Sequence, residues 1–147
     1  MKDFKIKNYT TSIDSDRSIL EIERLLQKFG ATAVMKEFLS DGRITSLAFK
    51  IGEKAYKLPA NIEGIYEVMF GATRHSTKKD AMKRREEQAY RTAWRVIRDW
   101  IHAQLSMIAS GQAQPDEIML PFMYDGKRTL FQAYKEGRLQ LENKNEG

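Results

Sequence analysis

Residues 77–110 carry the longest helical pattern in the chain, since this stretch contains neither proline nor glycine. At 100° per residue, its apolar side chains cover about 200° of the helix surface, whereas a surface helix needs a stripe of only about 100°. A helix with so wide an apolar surface must be covered on two sides. We therefore predict a long helix with a sheet against one side and with the C-terminal segment or a partner subunit against the other.

The remaining sequence alternates between extended and helical patterns. Asp41-Gly42 supplies the positive φ angles of a tight hairpin, so the extended segments on either side of it should pair as antiparallel strands. In the second of these segments, Leu47 and Phe49 lie on the core face and Ile44 on the opposite face. The other predicted elements are a strand at 5–13, a helix at 15–30, strands at 32–39, 43–51 and 54–58, a helix capped by Asn61, an irregular strand at 118–124 and a helix at 129–137.

Together these elements predict an α+β fold. We expect a three- to four-stranded antiparallel sheet packed on a long C-terminal helix, with an N-terminal helix and a short C-terminal helix. The chain has 147 residues, which is enough for one domain with a core of its own, and we place this domain at residues 1–139. Residues 140–147 are polar, so we expect a frayed tail.

Composition excludes several classes of protein. An aromatic content of 10% is too high for a disordered chain, and the absence of cysteine excludes a disulfide scaffold, a thiol nucleophile and a cysteine zinc site. No apolar run is long enough to span a membrane, and the first residues lack the apolar core of a signal peptide. We therefore expect a soluble protein of the cytoplasm.

The positive charge is concentrated in one part of the sequence. The chain has 25 Lys+Arg and 20 Asp+Glu, a net charge of +5. Residues 72–98 hold nine basic and three acidic side chains, a net charge of +6, so the rest of the chain sums to −1. Such a surplus suggests a polyanionic partner: nucleic acid, a nucleotide or an acidic protein. The alternative is a solvated helix face that keeps the protein soluble.

Basic side chains also form a narrow stripe along the long helix. Arginine presents a planar fork that suits phosphate, and arginines one turn apart would make a linear anion-binding track. Alternatively, Arg95 and Arg98 pair with Asp99, Glu87 or carboxylates from the sheet in a purely structural role. The stripe, which lies within about 40° of one direction, consists of Arg84, Gln88, Arg91, Arg95, Arg98 and His102. The predicted ligand- or nucleic-acid-binding residues are Arg74, Lys78, Lys79, Lys83, Arg84, Arg91, Arg95, Arg98 and His102.

Patterns typical of catalysis are missing from the sequence. The two histidines, His75 and His102, have no second histidine or carboxylate at metal-ligand spacing, and there is no glycine-rich phosphate-binding loop. We therefore predict no catalytic residues, no metal site and no cofactor. The expected protein binds a partner and is not an enzyme.

The order of elements is similar to that of the double-stranded-RNA-binding domain. Helix 15–30, the three-stranded meander 32–58 and helix 77–110 follow the layout of that domain. Residues 76–81, Ser-Thr-Lys-Lys-Asp-Ala, look like the basic start of its second helix, where lysines contact phosphates across a groove. The chain departs from this layout in its N-terminal strand, in the insertion 59–73 and in the length of the last helix.

Five short motifs resemble a family of small proteins of unassigned function found in phages and mobile elements. The most specific is Ala-Trp-Arg-Val-Ile-Arg-Asp-Trp at 93–100. This resemblance implies a phage or prophage accessory protein that acts in the bacterial cytoplasm. The other motifs, in chain order around it, are Lys-Asn-Tyr-Thr-Thr at 7–11, Phe-Gly-Ala at 29–31, Lys-Leu-Pro-Ala-Asn at 57–61 and Leu-Pro-Phe at 120–122.

Three functional hypotheses follow. The first is a phage-type, non-enzymatic accessory protein that binds nucleic acid through the basic loop and the arginine stripe. The second is a phage counter-defence protein that binds and inhibits a host defence complex, or that sequesters a nucleotide second messenger in a pocket lined by arginines and aromatic rings. The second hypothesis predicts a homo-oligomer formed through the long helix, with the site at the subunit interface. A helix-mediated dimer whose basic face serves only solvation is a third possibility.

Overall fold

The computed structural model describes residues 4–71 and 78–137. Three strands form one antiparallel sheet in the order β1-β2-β3, with helices on either side of them in the sequence. This is the α+β architecture predicted from the sequence, with the long helix α3 at its centre. The elements are α1 (Ser15–Lys28), β1 (Ala33–Phe38), β2 (Ile44–Ile51), β3 (Lys54–Lys57), α2 (Ile62–Phe70), α3 (Lys79–Ala109), α4 (Pro115–Met119), a 3₁₀ turn (Leu120–Phe122) and α5 (Leu130–Lys135).

Polar side chains define where the shorter helices begin. The carboxylate of Asp14 accepts a hydrogen bond from the N–H of Asp16 at the start of α1, and the side chain of Asn61 accepts one from Gly64 at the start of α2. The hydroxyl of Thr129 accepts one from Gln132 at the start of α5. Ser18 and Glu21 also have the spacing of a capping box in the sequence, but both residues lie inside α1, so this pair does not mark the start of the helix.

A β-bulge sets which side chains of β2 reach the core. Glu37 pairs with Ser46 but Phe38 pairs with Ile44, so Thr45 is an extra residue in β2. The bulge places Ile44 in the same hydrophobic cluster as Leu47. The predicted position of Ile44 on the opposite face is therefore wrong, because strict alternation stops at the bulge.

The core lies between the sheet, α1 and α3. Trp94 of α3 is completely buried within it. The C-terminal segment contributes to the second cover of α3, where the ring of Phe122 meets Trp100 edge-on at a centroid distance of 5.3 Å. The other core side chains include Ile19, Ile22 and Leu26 from α1, Leu47 and Phe49 from β2, Tyr56 from β3, and Tyr90, Ile97 and Ile101 from α3.

Two predicted strands are wrong. Residues 4–14 form no strand; they turn at 7–10, where Asn8 has a φ of 70°. The sheet therefore has three strands and not four. Most of the segment 118–124 is helical, with Pro115 in the first turn of α4 and Pro121 in the 3₁₀ turn. Its last two residues make isolated β-bridges, Met123 to Tyr56 and Tyr124 to Thr129. The predicted frayed tail, 140–147, lies outside the described residues.

Candidate anion-binding face of the long helix

Arg95 and Arg98 form ion pairs with a carboxylate of α1. The Nη1 of Arg95 donates to Oε2 of Glu21 at 2.5 Å, and the Nε of Arg98 donates to the same oxygen at 3.2 Å. The Nη1 of Arg98 also donates to Oδ1 of the adjacent Asp99 at 3.3 Å. Asp99 was expected as a partner, but the second carboxylate comes from α1 and not from the sheet. These two arginines fasten α1 to α3, so a phosphate would have to compete with Glu21 for them.

The chain's own N-terminal segment lies across the same polar side of α3. The side chain of Asn8 donates to Oδ2 of Asp99 at 2.8 Å. The amide of Gln88 donates to the carbonyl of Thr11 at 3.0 Å, and the hydroxyl of Thr92 donates to the carbonyl of Asn8 at 3.3 Å. These bonds explain why residues 7–11 do not join the sheet: their backbone groups find partners on α3.

Both carboxyl groups of this network have a pKa below the ordinary value. Burial raises the pKa of Glu21, but the hydrogen bond and positive charge of Arg95, together with the charge of Arg98, outweigh that effect. Burial also raises the pKa of Asp99, and there the hydrogen bond from Asn8 and nearby cations outweigh it. In both cases the folded state binds the proton less tightly than the unfolded chain does.

We therefore expect these two carboxylates to stabilise the fold above the ordinary pKa values, 4.5 for Glu21 and 3.8 for Asp99. Their contribution should be lost as the pH falls through the lower pKa values of the folded state. Urea unfolding at a series of pH values from about 2 to 6 measures this loss. The stability of Glu21→Gln should decline less on acidification than that of the wild type, because glutamine does not titrate. An equal decline in both proteins would contradict this assignment.

Arg91 and His102 occupy two further positions on the stripe. Arg91 is half-buried: its Nη2 donates to Oε1 of Gln88, and its Nε is enclosed without a hydrogen-bond partner in the described part of the chain. His102 is exposed. It lies 18 residues beyond Arg84, about 27 Å along the helix axis, so the structure does not bring these two residues together.

The first two turns of α3 carry cations that are open to solvent. We call Lys78, Lys79, Lys83 and Arg84 the basic helix start. All four are exposed, and among the described residues none of them forms an ion pair. The neighbouring Arg85 instead packs over the ring of Phe70, 5.4 Å from its centroid. Arg74, also predicted as a binding residue, lies outside the described residues, as do Ser76 and Thr77.

The helix end itself adds positive potential at the basic helix start. Lys78 occupies the N-cap position of α3 and makes no side-chain capping bond. The N–H groups of a first helical turn have no partner within the helix, and the helix dipole is positive at this end. One carboxylate, that of Asp80, lies in this first turn and offsets part of the positive potential, which leaves a net charge of +3 over residues 78–84. The backbone and the side chains here therefore both favour a negatively charged partner.

A cleft of 440 Å³ lies beside the basic helix start, between α1, the β1–β2 turn and α3. It contains Arg91 and the ring of Tyr90, as the nucleotide-pocket hypothesis requires. Five carboxylates against three cations, however, give it a net charge of −2, which repels an anionic nucleotide. Nucleotide sequestration stays a prediction, but this cleft does not favour it. The charged residues of the cleft are Asp14, Asp16, Asp41, Glu86 and Glu87, with Arg43, Lys83 and Arg91.

Residues 4–71 and 78–137 contain no group of three or more histidine, aspartate or glutamate side chains that could hold a metal ion. Within the same ranges, the helices are all too short or too polar to cross a membrane.

The chain matches no protein-family model, no curated protein and no solved structure. The proposed function therefore depends on the geometry of the chain's own residues.

Proposed function

We propose that this protein binds nucleic acid without catalysing a reaction, and that the basic helix start is the contact surface. The observation that carries the proposal is the set of four exposed cations at the positive end of α3, which have no ion pair among the described residues. Cations that form no ion pair with a carboxylate of the same protein are available to bind phosphates. A nucleic acid gains free energy from them by releasing its condensed counterions.

Contacts within the protein reduce the set of residues that we propose for this surface. Arg95 and Arg98 are held by Glu21, and Arg91 is half-buried against Gln88. The proposed contact therefore uses the start of α3 and not its whole length. Arg74 precedes this helix by a few residues in the sequence, and its participation stays a prediction.

The biological setting is a proposal that depends on the sequence resemblance. Phage and mobile-element proteins act in the bacterial cytoplasm, where a small basic accessory protein would meet DNA and RNA at high concentration. Inhibition of a host defence complex and assembly through the long helix also remain predictions. Neither has a described feature that favours it over nucleic-acid binding.

Titrations of labelled single- and double-stranded DNA and RNA at about 50 and 200 mM salt test the proposal. If the four cations each contact a phosphate, log Kd against log salt should change with a slope of about 3.6 on duplex DNA, since each contact contributes about 0.9. Removing two of them in Lys79→Ala/Lys83→Ala should lower the slope by about 1.8 and weaken binding on every sequence.

The matched control is Lys50→Ala/Lys127→Ala, which removes the same charge from two other exposed lysines. This variant should keep the slope of the wild type, because neither lysine belongs to the basic helix start. Wild-type protein that shows no salt-sensitive binding to any of the four nucleic acids would refute the proposed function. Equal effects of the two double variants would refute the proposed surface.

A further inference from the structure

We propose that Glu87 ends the phosphate-binding row of α3, and so confines nucleic acid to a short, sequence-independent contact with the backbone. This inference rests on the proposed function and adds to it a residue that limits the site. It also names the part of the nucleic acid that is recognised, the phosphates and not the bases.

The argument starts from the ridge formed by every fourth residue of α3. Residues 79, 83, 87, 91 and 95 follow one another at a rise of about 6 Å and a rotation of about 40°. Four of them are cationic, and Glu87 is the exception. Arg95 is held by Glu21, so without Glu87 this ridge would be a cationic row from Lys79 to the half-buried Arg91, a little over three turns long.

Glu87 is not neutralised by the cations on either side of it. It lines the same cleft as Lys83 and Arg91, is exposed, and forms no ion pair with any residue in the described ranges. Glu86 lies beside it and Asp14 across the cleft, and both add negative charge. A phosphate that follows the ridge beyond Lys83 therefore meets like charge, which opposes binding.

The basic helix start has no aromatic side chain of its own, and two rings near it are already in use. Tyr90 is 9% exposed, and its hydroxyl accepts a hydrogen bond from the N–H of Ile44 at 2.7 Å. Phe70 lies under the guanidinium of Arg85. Stacking on aromatic rings is how proteins hold unpaired bases, whereas contacts to phosphate carry no sequence information. The four cations of the basic helix start are therefore suited to the backbone of a nucleic acid.

The test is to reverse the charge of Glu87 and to compare it with a control. Glu87→Lys completes the cationic row, so the salt slope on duplex DNA should steepen by about 1. Glu53→Lys makes the same change of net charge in the exposed turn between β2 and β3, and should leave the slope unchanged. Two duplexes of unrelated sequence should bind the wild type within about threefold of each other.

Each outcome decides between the two proposals. Wild-type binding with equal slopes for Glu87→Lys and Glu53→Lys would overturn the role of Glu87 and leave the proposed function standing, as would a tenfold preference for one duplex. Binding by Glu87→Lys but not by the wild type would refute the proposed function and with it the short contact that Glu87 is proposed to limit. No binding by either protein would overturn both.

Discussion

Replacing Trp94 with alanine should lower the free energy of unfolding by about 3–5 kcal/mol. Trp94 is completely buried, at the centre of the cluster where α1, the sheet and α3 meet. Truncating it removes the largest side chain of the core and leaves a cavity that the surrounding helices and strands can close only in part. Urea unfolding followed by circular dichroism measures the loss.

Trp94→Phe is the control, because it removes less side-chain volume than Trp94→Ala and keeps an aromatic ring in the core. The indole N–H of Trp94 is buried and has no hydrogen-bond partner in the described part of the chain. Phenylalanine therefore gives up volume but no hydrogen bond, and we expect it to cost less than half as much as alanine. A loss below about 1 kcal/mol for Trp94→Ala would contradict the placement of this ring in the core.

The double variant Arg95→Met/Arg98→Met should lower the free energy of unfolding by an amount on the order of 2–4 kcal/mol. It keeps most of the side-chain volume but removes both guanidinium groups that bond to Glu21. Within residues 4–71 and 78–137, only the more distant Arg17, at 3.6 Å, then remains as an ion-pair partner of this carboxylate at the α1–α3 interface. Unfolding in urea at pH 7 measures the effect, and the single variants should each cost less.

The same variant has a second readout, which is its binding to nucleic acid. Because these arginines are occupied by Glu21, their removal should leave the salt slope of binding unchanged. A stable variant with a reduced slope would mean that Arg95 and Arg98 are contact residues after all. The assignment of Arg95 and Arg98 to a purely structural role, which is to hold α1 against α3, would then be wrong.

Elements of secondary structure that depend on residues close together in the sequence could be predicted. The 31 residues of α3 follow from an unbroken helical periodicity, and the β1–β2 hairpin follows from Asp41-Gly42. The N-terminal strand was mispredicted because residues 5–13 do alternate, yet their carbonyls bond to Gln88 and Thr92, about 80 residues away. The bulge at Thr45 was missed because its cause is also tertiary, a core position for Ile44.

The sequence could predict where the positive charge of the candidate site lies, but not which of its cations form ion pairs. Composition along the chain shows where positive charge is concentrated, since charge is a property of the sequence itself. Which of them are free depends on where α1 packs, because Glu21 reaches Arg95 and Arg98 across the helix interface. Helical spacing had suggested a role for Glu21 as a cap of its own helix. Only the packing of α1 on α3 shows it as the partner of two arginines.

The division of the predicted binding residues into an open group, the basic helix start, and a structural pair, Arg95 and Arg98, is tested most directly by one comparison of salt slopes. Lys79→Ala/Lys83→Ala and Arg95→Met/Arg98→Met each remove two positive charges from α3, so their net charges are equal. We predict that the slope on duplex DNA falls by about 1.8 in the lysine variant and stays at the wild-type value in the arginine variant. Equal slopes in the two variants, or a loss confined to the arginine variant, would contradict the account.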